Sequence, residues 1–103
     1  MHIVSRAILV DFYSNPDYQD SEESLKAWFQ TASLAKWTSP HDVKSAFGNA
    51  SIVGNNRVVF NIKGNDYRLI VAFAYRMGWG YVKFIGTHAQ YDLIDAATVD
   101  QTK

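Results

Sequence analysis

The hydrophobic period of this chain changes at Gly48, and that change limits the folds open to it. Before it, Leu25, Trp28, Phe29 and Ala32 fall at i, i+3, i+4 and i+7, the stripe of an amphipathic helix. After it, apolar residues run in near-alternation broken by short polar turns, the pattern of strands that bury one face. Helices followed by a run of strands with tight connections give an α+β fold, with the strands forming an antiparallel meander.

Local signals fix where each element begins. Residues 2–4 are β-branched or apolar enough for a brief strand, and Ser5 is placed to cap a helix from Arg6 to about Tyr13 that ends at Asn15-Pro16. Asp20 and Glu23 have the spacing of a capping box for the second helix. Ser39-Pro40-His41-Asp42 offers a cap, a proline at the first helical position and an acid in the first turn, so a short helix through Val43, Ala46 and Phe47 closes at Gly48. Strands are predicted at 51–53 and 57–62, around the turn Gly54-Asn55-Asn56. Lys63-Gly64-Asn65-Asp66 then turns the chain into a long strand, Tyr67 to Tyr75, and Met77-Gly78-Trp79-Gly80 leads to a last strand ending at Gly86. Thr87 and Gln90 form the clearest capping box, opening a final helix with Leu93, Ile94 and Ala97 on its apolar side.

At 103 residues with 48% hydrophobic content, one domain covering 1–103 is expected, with a real core. No apolar run approaches the roughly 20 residues that span a bilayer. The opening stretch Met1-His2-Ile3-Val4-Ser5-Arg6 lacks a signal-peptide layout, so a cytoplasmic location without membrane attachment is the expectation. The absence of cysteine excludes disulfides, thiol catalysis and Cys-ligated zinc, and three scattered histidines, His2, His41 and His88, argue against a metal site. No cofactor is called for.

A formal net charge of zero conceals a segregation. Residues 51–90 hold Arg57, Lys63, Arg68, Arg76 and Lys83 against Asp66 alone, while both flanking segments are acidic. A basic strand region suits a polyanion, although solvated Lys and Arg on a half-exposed sheet give the same pattern.

Arg68 and His88 within that block, and Tyr91 just past its end, have the chemistry to work on a phosphodiester. Cleaving RNA through its own 2′-hydroxyl needs a base for that proton, a donor for the leaving 5′-oxygen and fixed positive charge at the phosphate, with no metal. Arg68 suits the charge role because its planar fork takes two phosphate oxygens. His88 stands where the last strand meets the capped helix, whose dipole favours the neutral ring a base requires. Tyr91, three residues on, shares its helical face and is suited to stacking a base or lending its hydroxyl to the phosphate. Lys63 at the turn and Lys83 in the last strand are further candidates for phosphate contact or proton transfer, so His88, Lys63 and Lys83 all qualify as the base. Asn61 and Asn65 suit sugar or base edges, and Arg57 adds charge. Arg76 shares the strand face of Arg68 by parity if no bulge intervenes. The reading requires that Arg68 and His88 share one open hollow. Trp28 belongs to the helix stripe and hence the core, whereas Trp79 in its Gly-flanked turn is suited to stacking a nucleotide or meeting a partner.

The segments Phe60-Asn61-Ile62-Lys63-Gly64-Asn65-Asp66-Tyr67-Arg68-Leu69-Ile70 and Phe84-Ile85-Gly86-Thr87-His88-Ala89-Gln90-Tyr91-Asp92 resemble the signature of the HigB toxins. These belong to the wider RelE/ParE-like group of type II toxin–antitoxin systems. The resemblance implies a RelE-like fold, with an N-terminal strand and helices on an antiparallel meander and a short C-terminal helix. It further implies a ribosome-dependent endoribonuclease that cuts messenger RNA, in which Arg68 stabilises charge, His88 acts as base or acid, Tyr91 positions substrate, and lysines such as Lys63 and Lys83 contribute. The partners it implies are the ribosome with its mRNA and a HigA-type helix-turn-helix antitoxin. The neutral net charge departs from the strongly basic character of many ribosome-dependent toxins. Two rival readings are a ParE-like gyrase inhibitor and a non-catalytic RNA- or protein-binding module.

Overall fold

A computed structural model describes residues 1–102 and places the elements in the order β1 (His2–Val4), α1 (Arg6–Ser14), α2 (Glu22–Leu34), α3 (Pro40–Ala46), β2 (Ser51–Val53), β3 (Arg57–Ile62), β4 (Tyr67–Ala74), β5 (Trp79–Thr87) and α4 (His88–Tyr91). The five strands form one sheet in the order β1-β5-β4-β3-β2. The meander β2 to β5 is antiparallel throughout, and β1 adds a parallel edge on β5. The α+β class and the meander follow the sequence expectation.

Alternation along β3 and β4 sends their side chains to two unlike faces. Val58, Phe60, Ile62, Tyr67, Leu69, Val71 and Phe73 point inward, where Leu9, Leu25, Trp28, Ala32 and Val43 from the three longer helices complete the main core. Each buried Leu or Phe there contributes roughly 1.5–3 kcal/mol of transfer free energy. The outer face has a much smaller apolar cluster of Val59, Ile70 and Phe84, covered by Tyr91 and by Ile94, Ala96 and Val99 from the segment after α4. A bulge makes this possible: Ile70 pairs with Phe84 and Val71 with Val82, leaving Lys83 as an extra residue in β5. Phe84 consequently faces outward, while Val82 and Ile85 both reach the main core.

Several local expectations are corrected. Ser5 makes no side-chain cap; it sits at φ 69° in the left-handed region, where the chain corners from β1 into α1. Asp20 does not open α2, because a 3-10 segment, Pro16–Ser21, precedes the helix and leaves the Asp20 carboxylate free for contacts elsewhere. Phe47, not Gly48, caps the end of α3, whose start at Ser39 is as expected, with its hydroxyl accepting from the Asp42 amide at 3.4 Å. β4 stops at Ala74, and a 3-10 turn at Tyr75–Met77 follows, so Arg76 lies beyond the strand and shares no face with Arg68. β5 starts at Trp79, inside the stretch read as a turn. Finally, α4 has the expected Thr87–Gln90 capping box but only one turn of helix; Leu93 is 86% exposed, and Ile94 alone of the expected apolar trio belongs to the outer cluster.

Candidate active site

The hairpin turn between β3 and β4 is built from left-handed backbone at Lys63 (φ 52°) and Gly64 (φ 64°), the second of which only glycine adopts without strain. This shape brings Asn65 back over the start of β4. Arg68 there donates from Nη2 to Asn65 Oδ1 at 2.7 Å and from Nη1 to the Asn65 carbonyl at 3.0 Å and the Tyr67 carbonyl at 3.2 Å. Three of its five N–H donors are thus held by the turn, and Nε with the second Nη2 hydrogen have no protein partner among the described residues. The guanidinium is fixed in orientation with one edge unspent.

Across the sheet Arg68 pairs with Asn61 on β3 and with Gly86 on β5, so the three form one row on the outer face. Gly86 is needed in that row because a Cβ would come within 2.6 Å of the Phe84 ring and 2.7 Å of Gln90 Oε1. The Arg68 Cζ lies 5.9 Å from the centroid of the Tyr91 ring, a cation–π distance, and Tyr91 in turn packs on Phe84.

His88 enters this corner through the backbone. Its amide donates to the Asp66 carbonyl at 3.1 Å, tying the start of α4 to the same turn that grips Arg68. The Thr87 hydroxyl accepts from the Gln90 amide at 3.1 Å while Gln90 Oε1 accepts from the Thr87 amide at 2.9 Å, and Gln90 Nε2 donates to Tyr18 Oη at 3.3 Å. The imidazole itself is exposed, with Nδ1 3.9 Å from an Asp92 carboxylate oxygen. A one-turn helix has little dipole, so Asp92 is the stronger electrostatic neighbour of the ring.

Arg68, His88, Tyr91, Asn61 and Asn65 therefore gather at one corner of the sheet. The expectation of one open hollow is corrected: Arg68 is only 8% exposed, with Tyr91 and the turn against its guanidinium, while the His88 ring is exposed. Asn65, expected to touch RNA, spends its side-chain oxygen on Arg68.

The other cations have partners of their own. Lys63 donates to Asp20 at 2.6 Å and lies 3.8 Å from Asp66. Tyr67 also donates its hydroxyl to Asp20. The hydrogen bond from Lys63, then that from Tyr67, holds the Asp20 carboxyl below its usual range, and Asp20 pushes the Tyr67 phenol up to about 12. Tyr67 is therefore a fixed donor and not an acid or base near neutrality. No local pattern points to Asp20, since its partners lie 43 and 47 positions away.

Arg57 is buried and donates from Nη1 to the carbonyls of Ala96 at 3.1 Å and Val99 at 2.5 Å. Lys83, at the bulge beyond Phe84, pairs with Asp100 at 3.3 Å. Both cations thus strap residues 96–100 to the outer face, away from the Arg68 corner. Arg76 is exposed beyond the opposite end of β4.

Among the described residues no group of three or more His, Cys, Asp or Glu side chains is arranged to hold a metal, and no helix is long and apolar enough to cross a membrane. The profile of the HigB toxins, described as the RelE-like toxic component of a toxin-antitoxin system, matches residues 21–94, from the start of α2 to just past α4. A comparison with curated proteins finds no match.

Proposed function

The chain belongs to the HigB toxin family, the toxic component of a toxin–antitoxin system, and from that premise we propose that it is an endoribonuclease that cuts messenger RNA on the ribosome through attack of a 2′-hydroxyl on the adjacent phosphate. The observation that carries this reading is the guanidinium of Arg68, oriented by Asn65 and left with two free donors, beside a turn that also anchors His88. The scissile phosphate meets the unspent edge of Arg68, where fixed donors favour the charge that develops on the phosphoryl oxygens. With Nδ1 turned toward Asp92, Nε2 of His88 is the nitrogen that accepts the 2′-hydroxyl proton. The O2′–P bond forms as the P–O5′ bond breaks, and the leaving 5′-oxygen takes a proton from solvent. Tyr91 packs against a neighbouring base. The products are a 2′,3′-cyclic phosphate and a 5′-hydroxyl.

Ribosome dependence fits the way charge is used here. Lys63, Lys83 and Arg57 are committed to internal partners, so few cations remain to draw in free RNA, and the ribosome has to present the message. A HigA-type helix-turn-helix antitoxin is the partner that restrains the toxin.

The test is induction of the wild-type chain, Arg68→Ala and His88→Ala in cells, with 5′ ends of messages mapped and plasmid supercoiling assayed. Cuts within translated frames that disappear in both variants support the nuclease. Intact messages with lost supercoiling overturn it in favour of a ParE-like gyrase inhibitor.

A further inference from the structure

The outer face has a second chemically distinct region at the end of the sheet away from Arg68. Trp79 and Tyr81 alternate onto this face along β5, with ring centroids 6.0 Å apart, and His2 on the neighbouring β1 brings its ring to 5.3 Å from Trp79. Trp79 is 36% exposed, whereas the other two tryptophans, Trp28 and Trp37, are buried in the main core. Nothing in the fold accounts for this indole on the surface, since its packing partners are two other partly solvated rings.

Beside this row lies a cavity of about 320 Å³. Its floor is formed by Ala72 and Ala74, small residues on the outward positions of β4, and Tyr81 and Lys83 line it together with Asn55 and Asn56. Lys83 sits 5.8 Å over the Tyr81 ring. Asn55 is already donating to the Ala97 carbonyl at 2.7 Å, while Asn56 keeps an exposed amide at the rim. One aromatic wall at Tyr81 with Trp79 beside it, a shallow floor and an amide at the edge match the π-face and polar rim of an unpaired base, and no acid lines the cavity.

We propose that Trp79, Tyr81 and the adjoining cavity hold an unpaired nucleobase of the RNA, a second contact on the same sheet face as Arg68. This deepens the nuclease reading and rests on it for the identity of the substrate. Arg68 and Ala72 stand four positions apart on β4, about 14 Å at the rise of a strand. Tyr91, Ile94, Ala96 and Val99 cover the face between these two places, so the RNA passes around that segment, and at least four nucleotides at ~3.4 Å each are needed to join them. Because the neighbouring cations Arg57 and Lys83 are already paired, affinity here comes from stacking more than from charge.

The experiment is titration of the Arg68→Ala protein, which leaves the probe uncut, with an eight-nucleotide single-stranded RNA while tryptophan fluorescence is recorded. The expected result is saturable quenching that vanishes in an added Trp79→Phe, is weakened about tenfold by Tyr81→Ala, and weakens only several-fold between 50 and 200 mM salt, far less than a binder held by many phosphate contacts. No quenching by RNA, or quenching unchanged by Tyr81→Ala, overturns the base platform, and message mapping on the wild type tells whether the nuclease reading survives it. Quenching by a partner protein or by self-association but not by RNA overturns it as well. Quenching as expected from a wild type that cuts no message supports the platform and removes the nuclease reading alone.

Discussion

The two faces of the sheet are built on different principles. The inner face is closed by three helices and a continuous apolar core, with Phe60 at 1% exposure meeting the rings of Trp28, Phe47 and Phe73. The outer face buries three apolar residues and depends on polar ties: Arg57 to two carbonyls, Asn65 to Arg68, and Lys83 to Asp100. Stability is concentrated on one side and oriented polar groups on the other. A side held by hydrogen bonds and one small cluster opens at lower free energy than the core, which suits the substrate-binding role proposed for it.

The contrast is broken most severely by emptying the inner face. Phe60→Ala is expected to cost about 3–5 kcal/mol, a cavity among three aromatic rings that the helices cannot fill, and a urea titration measures it. A cost below about 1 kcal/mol would mean the core does not dominate.

Arg57→Ala tests the other side. It removes both carbonyl ties of residues 96–99 and is expected to cost about 1.5–3 kcal/mol, the range for hydrogen bonds to a charged group. The loss should be local. Amide exchange of residues 94–101 accelerates while that of Leu69, Val71 and Val82 keeps its ratio to global unfolding, and uniform acceleration would show that the strap is not a separate unit.

The smallest expected effect is on acid stability. Asp20 is lowered by its hydrogen bonds from Lys63 and then Tyr67, and Asp100 is lowered to about 2 by the Thr102 hydroxyl and amide and by Lys83. A carboxyl with a depressed folded pKa stabilises the fold fully above its unfolded value near 3.8 and loses that contribution as pH falls through the folded value. Melting temperatures between pH 6 and 2 should decline below about pH 4, and less steeply in Asp20→Asn and Asp100→Asn. An equal decline in these variants would show that the two carboxylates carry no linkage.

The inner face was legible in the sequence and the outer one only in part, for a physical reason. Helical spacing in α2 and alternation in β3 and β4 are local patterns, as are the caps at Ser39 and Thr87, and each appears where its pattern places it. That Arg68, His88 and Tyr91 come to one corner of the sheet was also legible, because β4, β5 and α4 follow one another along the chain. Asp20 reaching Lys63, and Arg57 reaching backbone carbonyls 39 and 42 residues away, leave no periodic trace. The reach of Arg76 failed through a strand end two residues too early for parity to carry it. The covering of Arg68 by Tyr91 depends on a helix one turn long, a length that capping residues at its start do not set.

The central claim is that the oriented fork of Arg68 serves the scissile phosphate, and Arg68→Lys tests it most directly. Lysine keeps the charge but cannot hold the Asn65 oxygens and present a flat pair of donors at once. The account predicts a folded protein that no longer leaves new 5′ ends in translated messages on induction. In-frame cuts at the wild-type level from the Arg68→Lys protein would contradict it.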